Sequence, residues 1–169
     1  MVGEGGGASD PDRVLAESGA SLCARIVAVV PDWVERTVGG IIDAWVATRP
    51  SETVDRAAVT AEAQTAGRAA AADVAVRLQA VLGVDVDAQS TTPLEVVRAA
   101  VAHPTGVLRR AGVPPVVRDS FAETRFPDDV YGLTPATLGA VDPSLTDPAR
   151  VWGAAKAMAH KARHRSAPG

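Results

Sequence analysis

Apolar residues in the first fifth of the chain recur with the spacing of an amphipathic helix. Asp10 and Pro11 are the residue types typical of a helix N-cap and first helical position. The apolar residues that follow at intervals of seven or four are Leu15, Leu22, Ile26 and Val30. This spacing predicts a helix that begins at Asp10-Pro11 and ends at Pro31, because proline interrupts the helical hydrogen-bond ladder.

The stretch from Asp32 to Thr48 has the clearest amphipathic pattern in the chain. Most of its charged residues lie away from an apolar helix face formed by Val34, Val38, Ile41, Ile42 and Trp45. Arg49-Pro50 should end this helix, because a residue before proline disfavours the α conformation. For Trp33 and Trp45, packing in the core is a simpler interpretation than anchoring an interface.

A long helix is predicted from Ser51 to about Leu82. Its middle, residues 66–72, contains only Gly, Ala and one Arg, so a neighbouring backbone can come close to it. Asp73 and Arg77 have the (i, i+4) spacing of a helical ion pair. Gly83 is expected to close the helix, and residues 84–91 are expected to form a loop.

The second half of the chain predicts shorter helices separated by prolines. Thr92-Pro93-Leu94-Glu95 matches a capping box with proline in the first turn, and this helix should end near His103. A short helix should follow and end near Gly112. Another is predicted over residues 116–124.

Residues 125–146 contain three prolines and two glycines, which indicates an ordered loop rather than a long helix. A short helix is predicted to open at Thr134-Pro135. Asp142-Pro143 and Asp147-Pro148 are predicted to start further turns or helices. The last helix should run from Pro148 to about Lys161, with Trp152, Ala155 and Ala159 toward the core.

These patterns predict an all-α protein: a compact helical bundle or an orthogonal array of five to seven helices, with a Pro-rich ordered loop near the C-terminal third. Residues 10–162 are expected to form a single helical domain. Residues 1–9, which are rich in glycine, and residues 163–169, which are basic, are expected to be disordered tails.

Composition places the protein among ordinary globular chains, with 47% hydrophobic residues but only 4% aromatic ones. Its single cysteine, Cys23, cannot form an intramolecular disulfide and reads as an inert buried thiol. The first residues lack the basic start and apolar run of a signal peptide. Uninterrupted apolar runs are far shorter than the roughly 20 residues of a spanning helix. We therefore expect a cytoplasmic protein without a membrane partner.

Charge is unevenly distributed along the chain. The net charge is −3, yet residues 149–169 contain five cations and no carboxylate side chain. Phosphate or nucleic-acid contact is therefore a hypothesis for Lys156, Lys161, Arg163 and Arg165. Solubility and favourable interaction with the helix dipole explain the same cations more simply. His160 and His164 have two-ligand spacing, but without further ligands nearby we expect no metal site.

The loop after residue 124 carries the other candidate site. Arg125, Asp128, Asp129 and Tyr131 combine charges of both signs with an aromatic ring, so a ligand or partner site is a hypothesis there. Adjacent aspartates after proline more often cap a turn than divide acid and base catalysis. No phosphate loop, nucleophile elbow or zinc motif is present in the sequence, so we predict no catalytic residues and no cofactor.

Three short segments carry a resemblance to known proteins. They are Ala111-Gly112-Val113-Pro114-Pro115-Val116-Val117-Arg118, Phe126-Pro127-Asp128-Asp129-Val130-Tyr131-Gly132-Leu133-Thr134-Pro135 and Trp152-Gly153-Ala154-Ala155-Lys156. The region that they span, roughly a third of the chain, is similar to short uncharacterised actinobacterial helical proteins. The resemblance implies a bacterial source and a cytoplasmic location. It implies no activity and no site.

Three hypotheses of function follow from the sequence. The leading one is a non-catalytic helical protein that binds a protein partner or associates with itself. The second is a nucleic-acid accessory protein that uses its basic C-terminal helix. The third is a small-ligand binder or an enzyme built around residues 125–135.

Overall fold

The computed structural model describes residues 10–82 and 92–166 of the chain, and within them the predicted all-α fold is confirmed, without a strand. The helices are α1 Pro11–Thr48, α2 Arg56–Leu82, α3 Pro93–Ala99, α4 Ala102–Arg110, α5 Ser120–Arg125, α6 Leu138–Val141 and α7 Thr146–Ser166. A 3-10 turn, Pro143–Leu145, precedes α7. The predictions for residues 1–9, for Gly83 with the loop 84–91, and for residues 167–169 lie outside the described residues.

The two longest helices, α1 and α2, form an antiparallel pair. Gly19 lies against Leu82 at one end of the pair, and Asp43 forms an ion pair with Arg56 at the other. The core between them and α4 is built mainly from Val, Leu and Ala. α7 packs along the first half of α1, where Ala155 and Ala159 bury Leu15, as predicted for the inward face of the last helix.

The prediction that Pro31 ends a helix is wrong. α1 continues through Pro31 as a single helix of 38 residues. Val30, Trp33 and Val34 on either side of the proline are buried, so packing outweighs the roughly 3 kcal/mol that proline costs inside a helix. The backbone of α2 comes close to the proline: a Cβ added to Gly67 would lie 2.9 Å from the Pro31 Cα. The close contact predicted from the Gly/Ala segment is thereby confirmed.

α2 begins at Arg56, five residues later than predicted. Asp55 is the residue that caps it, since its carboxylate accepts a hydrogen bond from the Ala58 N–H at 3.0 Å. The predicted partner of Asp73 also differs. Its carboxylate lies 2.9 Å from the His103 ring of α4, and so it links two helices rather than two turns of one.

The helices α3 and α4 follow their predicted signals in part. The Thr92 side chain accepts from the Glu95 N–H at 3.3 Å, which confirms the N-cap, while the Glu95 carboxylate pairs with Arg98 at 2.9 Å. Pro104 lies within the first turn of α4, where its missing N–H has no helical acceptor to lose. Gly112 has a φ of 82° and ends α4, because this left-handed conformation suits glycine.

The C-terminal helices differ from the prediction at their boundaries. α6 is capped by Thr137 instead of opening at Thr134, whereas Asp142 caps the 3-10 turn as predicted. α7 starts at Thr146 and extends to Ser166. Residues 163–166, predicted to be part of a disordered tail, are therefore helical, because α7 continues uninterrupted beyond the buried Ala159.

Among the described residues, α1 is the one helix that is long and apolar enough to cross a membrane, by length and composition alone. An 18-residue window of α1 has a mean hydropathy of 1.5. Uninterrupted apolar runs in the sequence, considered alone, do not identify this window. Its buried stripe, which includes Leu22, Ile26 and Val30, packs within the protein core. A core helix meets the same criteria, so this property is weak support for a span.

Candidate functional site

A short arm projects from the helical core between α4 and α6. We define the arm as residues 114–128, which include α5. Its two ends are joined at the core, where the buried Tyr131 donates a hydrogen bond from Oη to the Val113 carbonyl at 2.6 Å. Beside it, the Val116 N–H donates to the Val130 carbonyl at 3.1 Å. These two bonds fix where the arm leaves and re-enters the core.

Arg118 holds the arm in shape from within. Its guanidinium donates to the Phe126 carbonyl at 2.6 Å and to the Ala122 carbonyl at 3.4 Å. A longer bond of 3.5 Å reaches the Pro127 carbonyl. At the other end of α5, the Asp119 carboxylate accepts from the Ala122 N–H at 2.7 Å. Both ends of this six-residue helix are therefore satisfied by side chains of the arm itself.

The arm exposes large apolar side chains among its polar ones. α5 buries none of its residues, Val117 is fully exposed, and 68% of Phe121 is exposed. Val116 is also exposed beside them. Sequence reasoning missed this surface, because it treated apolar residues as core candidates. The signal that was available is the pair Val117 and Phe121, spaced (i, i+4) directly after two prolines.

The structure gives the four residues predicted to form a loop site different surroundings. Tyr131 is buried with its hydroxyl bonded to the Val113 carbonyl, and burial raises its pKa, an effect that Arg109 partly offsets. Asp129 is also buried. Its carboxylate accepts from the Leu133 N–H at 2.7 Å, from the Thr134 N–H at 2.9 Å and from the Thr134 hydroxyl at 2.6 Å. Tyr131 and Asp129 therefore hold the loop together, and only Arg125 and Asp128 remain exposed.

Arg125, Asp128 and Asp129 border a cleft of about 320 Å³ between the end of the arm and helices α3 and α4. Arg98 and Thr105 border the opposite side. Tyr131 does not line it. The cleft therefore brings together three of the four predicted loop residues, and it adds an arginine and a threonine that the sequence did not single out.

The four predicted phosphate-contact residues lie on two sides of α7. At about 100° per residue, Lys156 and Arg163 share one side, and Lys161 and Arg165 share roughly the opposite one. The Lys156 ammonium lies 5.2 Å from the centre of the Trp152 ring, and Arg163 pairs with Asp12 at 3.2 Å. Lys161 and Arg165 are exposed. The helix therefore does not present the four cations as one surface.

The histidines of α7 lie close together, with ring centres 4.2 Å apart for His160 and His164. No group of three or more His, Cys, Asp or Glu side chains that could hold a metal ion occurs in residues 10–82 and 92–166. Cys23 is half-buried beside a groove of about 430 Å³ between α1 and α2. Burial raises the pKa of its thiol, so a smaller fraction is present as thiolate at neutral pH.

Comparison with known proteins gives no relative from which a role could be transferred. No protein-family model, curated protein or solved structure matches this chain.

Proposed function

We propose that the protein is a non-catalytic interaction protein that docks on a protein partner through the arm. The observation that carries this proposal is α5, a capped and internally braced helix that buries none of its own residues. The side chain of Phe121 in α5 is exposed to solvent, and so is that of Val117, which lies three residues before α5. Exposed apolar side chains that adjoin one another mark interaction surfaces more often than isolated ones do.

The geometry of the arm supports docking for two physical reasons. An aromatic side chain with a large exposed area can fill an apolar pocket of a partner, and such anchors supply much of the binding free energy. The bonds of Arg118 and Asp119 also fix the shape of the arm before binding. Less conformational entropy is then lost on association. The partner that suits this surface has an apolar groove deep enough to accept Phe121.

The decisive experiment compares captured partners between matched variants. The full chain is immobilised and exposed to a lysate of the source organism, and bound proteins are quantified by mass spectrometry. The test variant is Val117→Ser with Phe121→Ser, and the control is Val76→Ser, which removes an exposed valine of α2. A partner of the arm should be lost at least about tenfold, the equivalent of 1.4 kcal/mol, in the test variant only.

Self-association is measured separately by sedimentation equilibrium of the same three proteins. A dimer of the wild-type chain that dissociates in the double variant would make a second copy the partner. Equal capture by the wild-type chain and the double variant would contradict docking through the arm. A monomer that captures no protein would contradict the proposal as well.

Nucleic-acid binding through α7 is the alternative function. It is supported by the outward position of Lys161 and Arg165 on an ordered helix. The variant Lys161→Ala with Arg165→Ala should then reduce the affinity for double-stranded DNA and flatten its dependence on salt. Fluorescence anisotropy at 50 and 200 mM salt measures both. Absence of salt-dependent binding by the wild-type chain would eliminate this alternative.

A further inference from the structure

The cleft between the end of the arm and helices α3 and α4 contains charges that the fold leaves without partners. The guanidinium of Arg98 is occupied, since it pairs with Glu95 and donates to the carbonyls of Pro135 and Ala136. The guanidinium of Arg125 forms no ion pair or hydrogen bond with a described residue, and it lies over two aromatic rings. Its Cζ lies 5.5 Å from the centre of Phe126. These rings hold the cation beside the cleft without neutralising it.

The two aspartates of the cleft differ in the same way. Asp129 is bound by the three donors of Leu133 and Thr134. Asp128 is exposed, and its carboxylate has no ion pair with a described residue. In particular, Arg125 and Asp128 border the same cleft but do not lie within 4.0 Å of each other as an ion pair. A positive and a negative group that do not pair with each other thus border one cleft.

A third observation comes from the opposite wall. Thr105 lines the cleft, is only 4% exposed, and its hydroxyl has no hydrogen-bond partner in the described part of the chain. Buried hydroxyl groups normally have a partner, because leaving one unpaired is costly. The hydroxyl oxygen itself is buried, and because threonine in a helix adopts two side-chain rotamers, rotation about χ1 gives this hydroxyl a second position.

We propose that the cleft binds a small zwitterion of the amino-acid class with an apolar side chain. Its carboxylate would pair with Arg125, its ammonium group with Asp128, and the Thr105 hydroxyl would supply a further hydrogen bond. A planar guanidinium is suited to bidentate contact with a carboxylate. Val101, Ala102 and Pro127 provide an apolar wall for the side chain.

Size and charge favour this class over larger anions. A volume of about 320 Å³ lies at the lower end of the range for small-molecule pockets. Two cationic and two anionic side chains border the cleft, so its formal charge is balanced. A multiply charged phosphate compound would meet the carboxylates of Asp128 and Asp129, whereas a zwitterion carries a group for each sign.

The experiment uses three probes of one shape: L-leucine, 4-methylpentanoate, which lacks the ammonium group, and 3-methylbutylamine, which lacks the carboxylate. Each is titrated into the 15N-labelled full chain at constant ionic strength and followed by amide chemical shifts. L-leucine should give saturable shifts at Thr105, Arg125 and Asp128. Each half-analogue should bind at least about tenfold more weakly.

Variants assign the two charges of the ligand. Arg125→Gln should weaken the binding of L-leucine about tenfold and leave the affinity for 3-methylbutylamine unchanged. Asp128→Asn should weaken the binding of L-leucine and leave the affinity for 4-methylpentanoate unchanged. The controls are Arg150→Gln and Asp147→Asn, which alter an exposed ion pair of α7 outside the cleft and should change neither affinity.

Three results would overturn the proposal. One is the absence of saturable, localised shifts with L-leucine in the folded wild-type chain. Another is equal affinity for L-leucine and 4-methylpentanoate, which would show that the ammonium group is not recognised. The third is unchanged L-leucine affinity in a folded Arg125→Gln variant.

Discussion

The close contact between Gly67 of α2 and Pro31 of α1 can be tested by adding one methyl group. In Gly67→Ala the new Cβ would lie 2.9 Å from the Pro31 Cα and 3.0 Å from the Pro31 carbonyl oxygen. Both atoms belong to the backbone, so no flexible side chain can move aside. The helices α1 and α2 would have to separate locally, and the buried neighbours Val30 and Val34 would lose packing.

Two opposing effects set the size of the change. Alanine is more favourable than glycine inside a helix by about 0.5–1 kcal/mol. Overpacking a well-filled interior typically costs about 1–3 kcal/mol. Because the contact is with backbone, we expect the second effect to exceed the first. Gly67→Ala should therefore lower the free energy of unfolding by about 1–2 kcal/mol.

The matched control is Gly40→Ala in α1, where an added Cβ would have no atom within 4 Å. This substitution carries the helix-propensity gain alone, so it should raise the free energy of unfolding by about 0.5–1 kcal/mol. Urea denaturation followed by circular dichroism measures both variants against the wild-type chain. If Gly67→Ala were as stabilising as Gly40→Ala, the close packing of α2 on Pro31 would be refuted.

Three further predictions concern single side chains. Arg118→Ala should speed amide hydrogen exchange across α5, yet change the thermal midpoint little, because α5 buries no residue; unchanged exchange would show that Arg118 does not brace the arm. Thr105→Val should raise the free energy of unfolding by about 1 kcal/mol, since it replaces a buried, unpaired hydroxyl by a methyl group. A lower free energy of unfolding in urea denaturation would mean that the hydroxyl has a partner. The side-chain and backbone hydrogen bonds from Ser144 lower the pKa of Asp142, and the positive charges of Arg36 and Arg25 lower it further. Its carboxylate should therefore stabilise the wild-type chain relative to Asp142→Asn above the ordinary aspartate pKa of about 3.9, and this difference should vanish as pH falls through the lowered pKa. A difference in urea midpoint that is constant from pH 6 to pH 3 would contradict this.

The helix starts that the sequence predicted correctly are those set by local chemistry. Asp10 and Thr92 each accept a hydrogen bond from an N–H two or three residues later, and proline follows both. Because the donor, the acceptor and the proline lie within one turn, the sequence contains all the information. Asp142 before the 3-10 turn is a third case. Such signals fix where an element begins but not what it packs against.

Pro31 shows why a local signal can fail. Whether a proline ends a helix depends on the packing of the residues around it, and here Gly67, 36 positions later, leaves room for its backbone. The sequence predicted a close contact at residues 66–72 and a helix end at Pro31, but did not relate the two. The structure shows that they are one feature, since the second helix packs where the first contains its proline.

Asp128 and Asp129 show the same limit at the candidate site. Adjacent aspartates after proline are indistinguishable by residue type, and the sequence could only assign both to a turn or both to a site. The chain turns at Gly132, which has a φ of 65°. This turn places the N–H groups of Leu133 and Thr134 around one carboxylate only. One aspartate is therefore used by the fold, and its neighbour remains available to a ligand.

The arm could not have been predicted from apolar spacing, and the reason bears on its role. In the helix predicted over residues 116–124, Val117 and Phe121 would share one face, a pattern that also describes a helix packed on a core. The helix begins only at Ser120, so Val117 lies outside it. Spacing states that a face is apolar, but the element that covers it is set by topology. The hydrogen bond between Tyr131 and Val113 holds the arm at the core, and α5 buries none of its own residues. Apolar side chains that the described chain leaves uncovered, in an arm whose shape Arg118 fixes, are the basis of the docking that we propose.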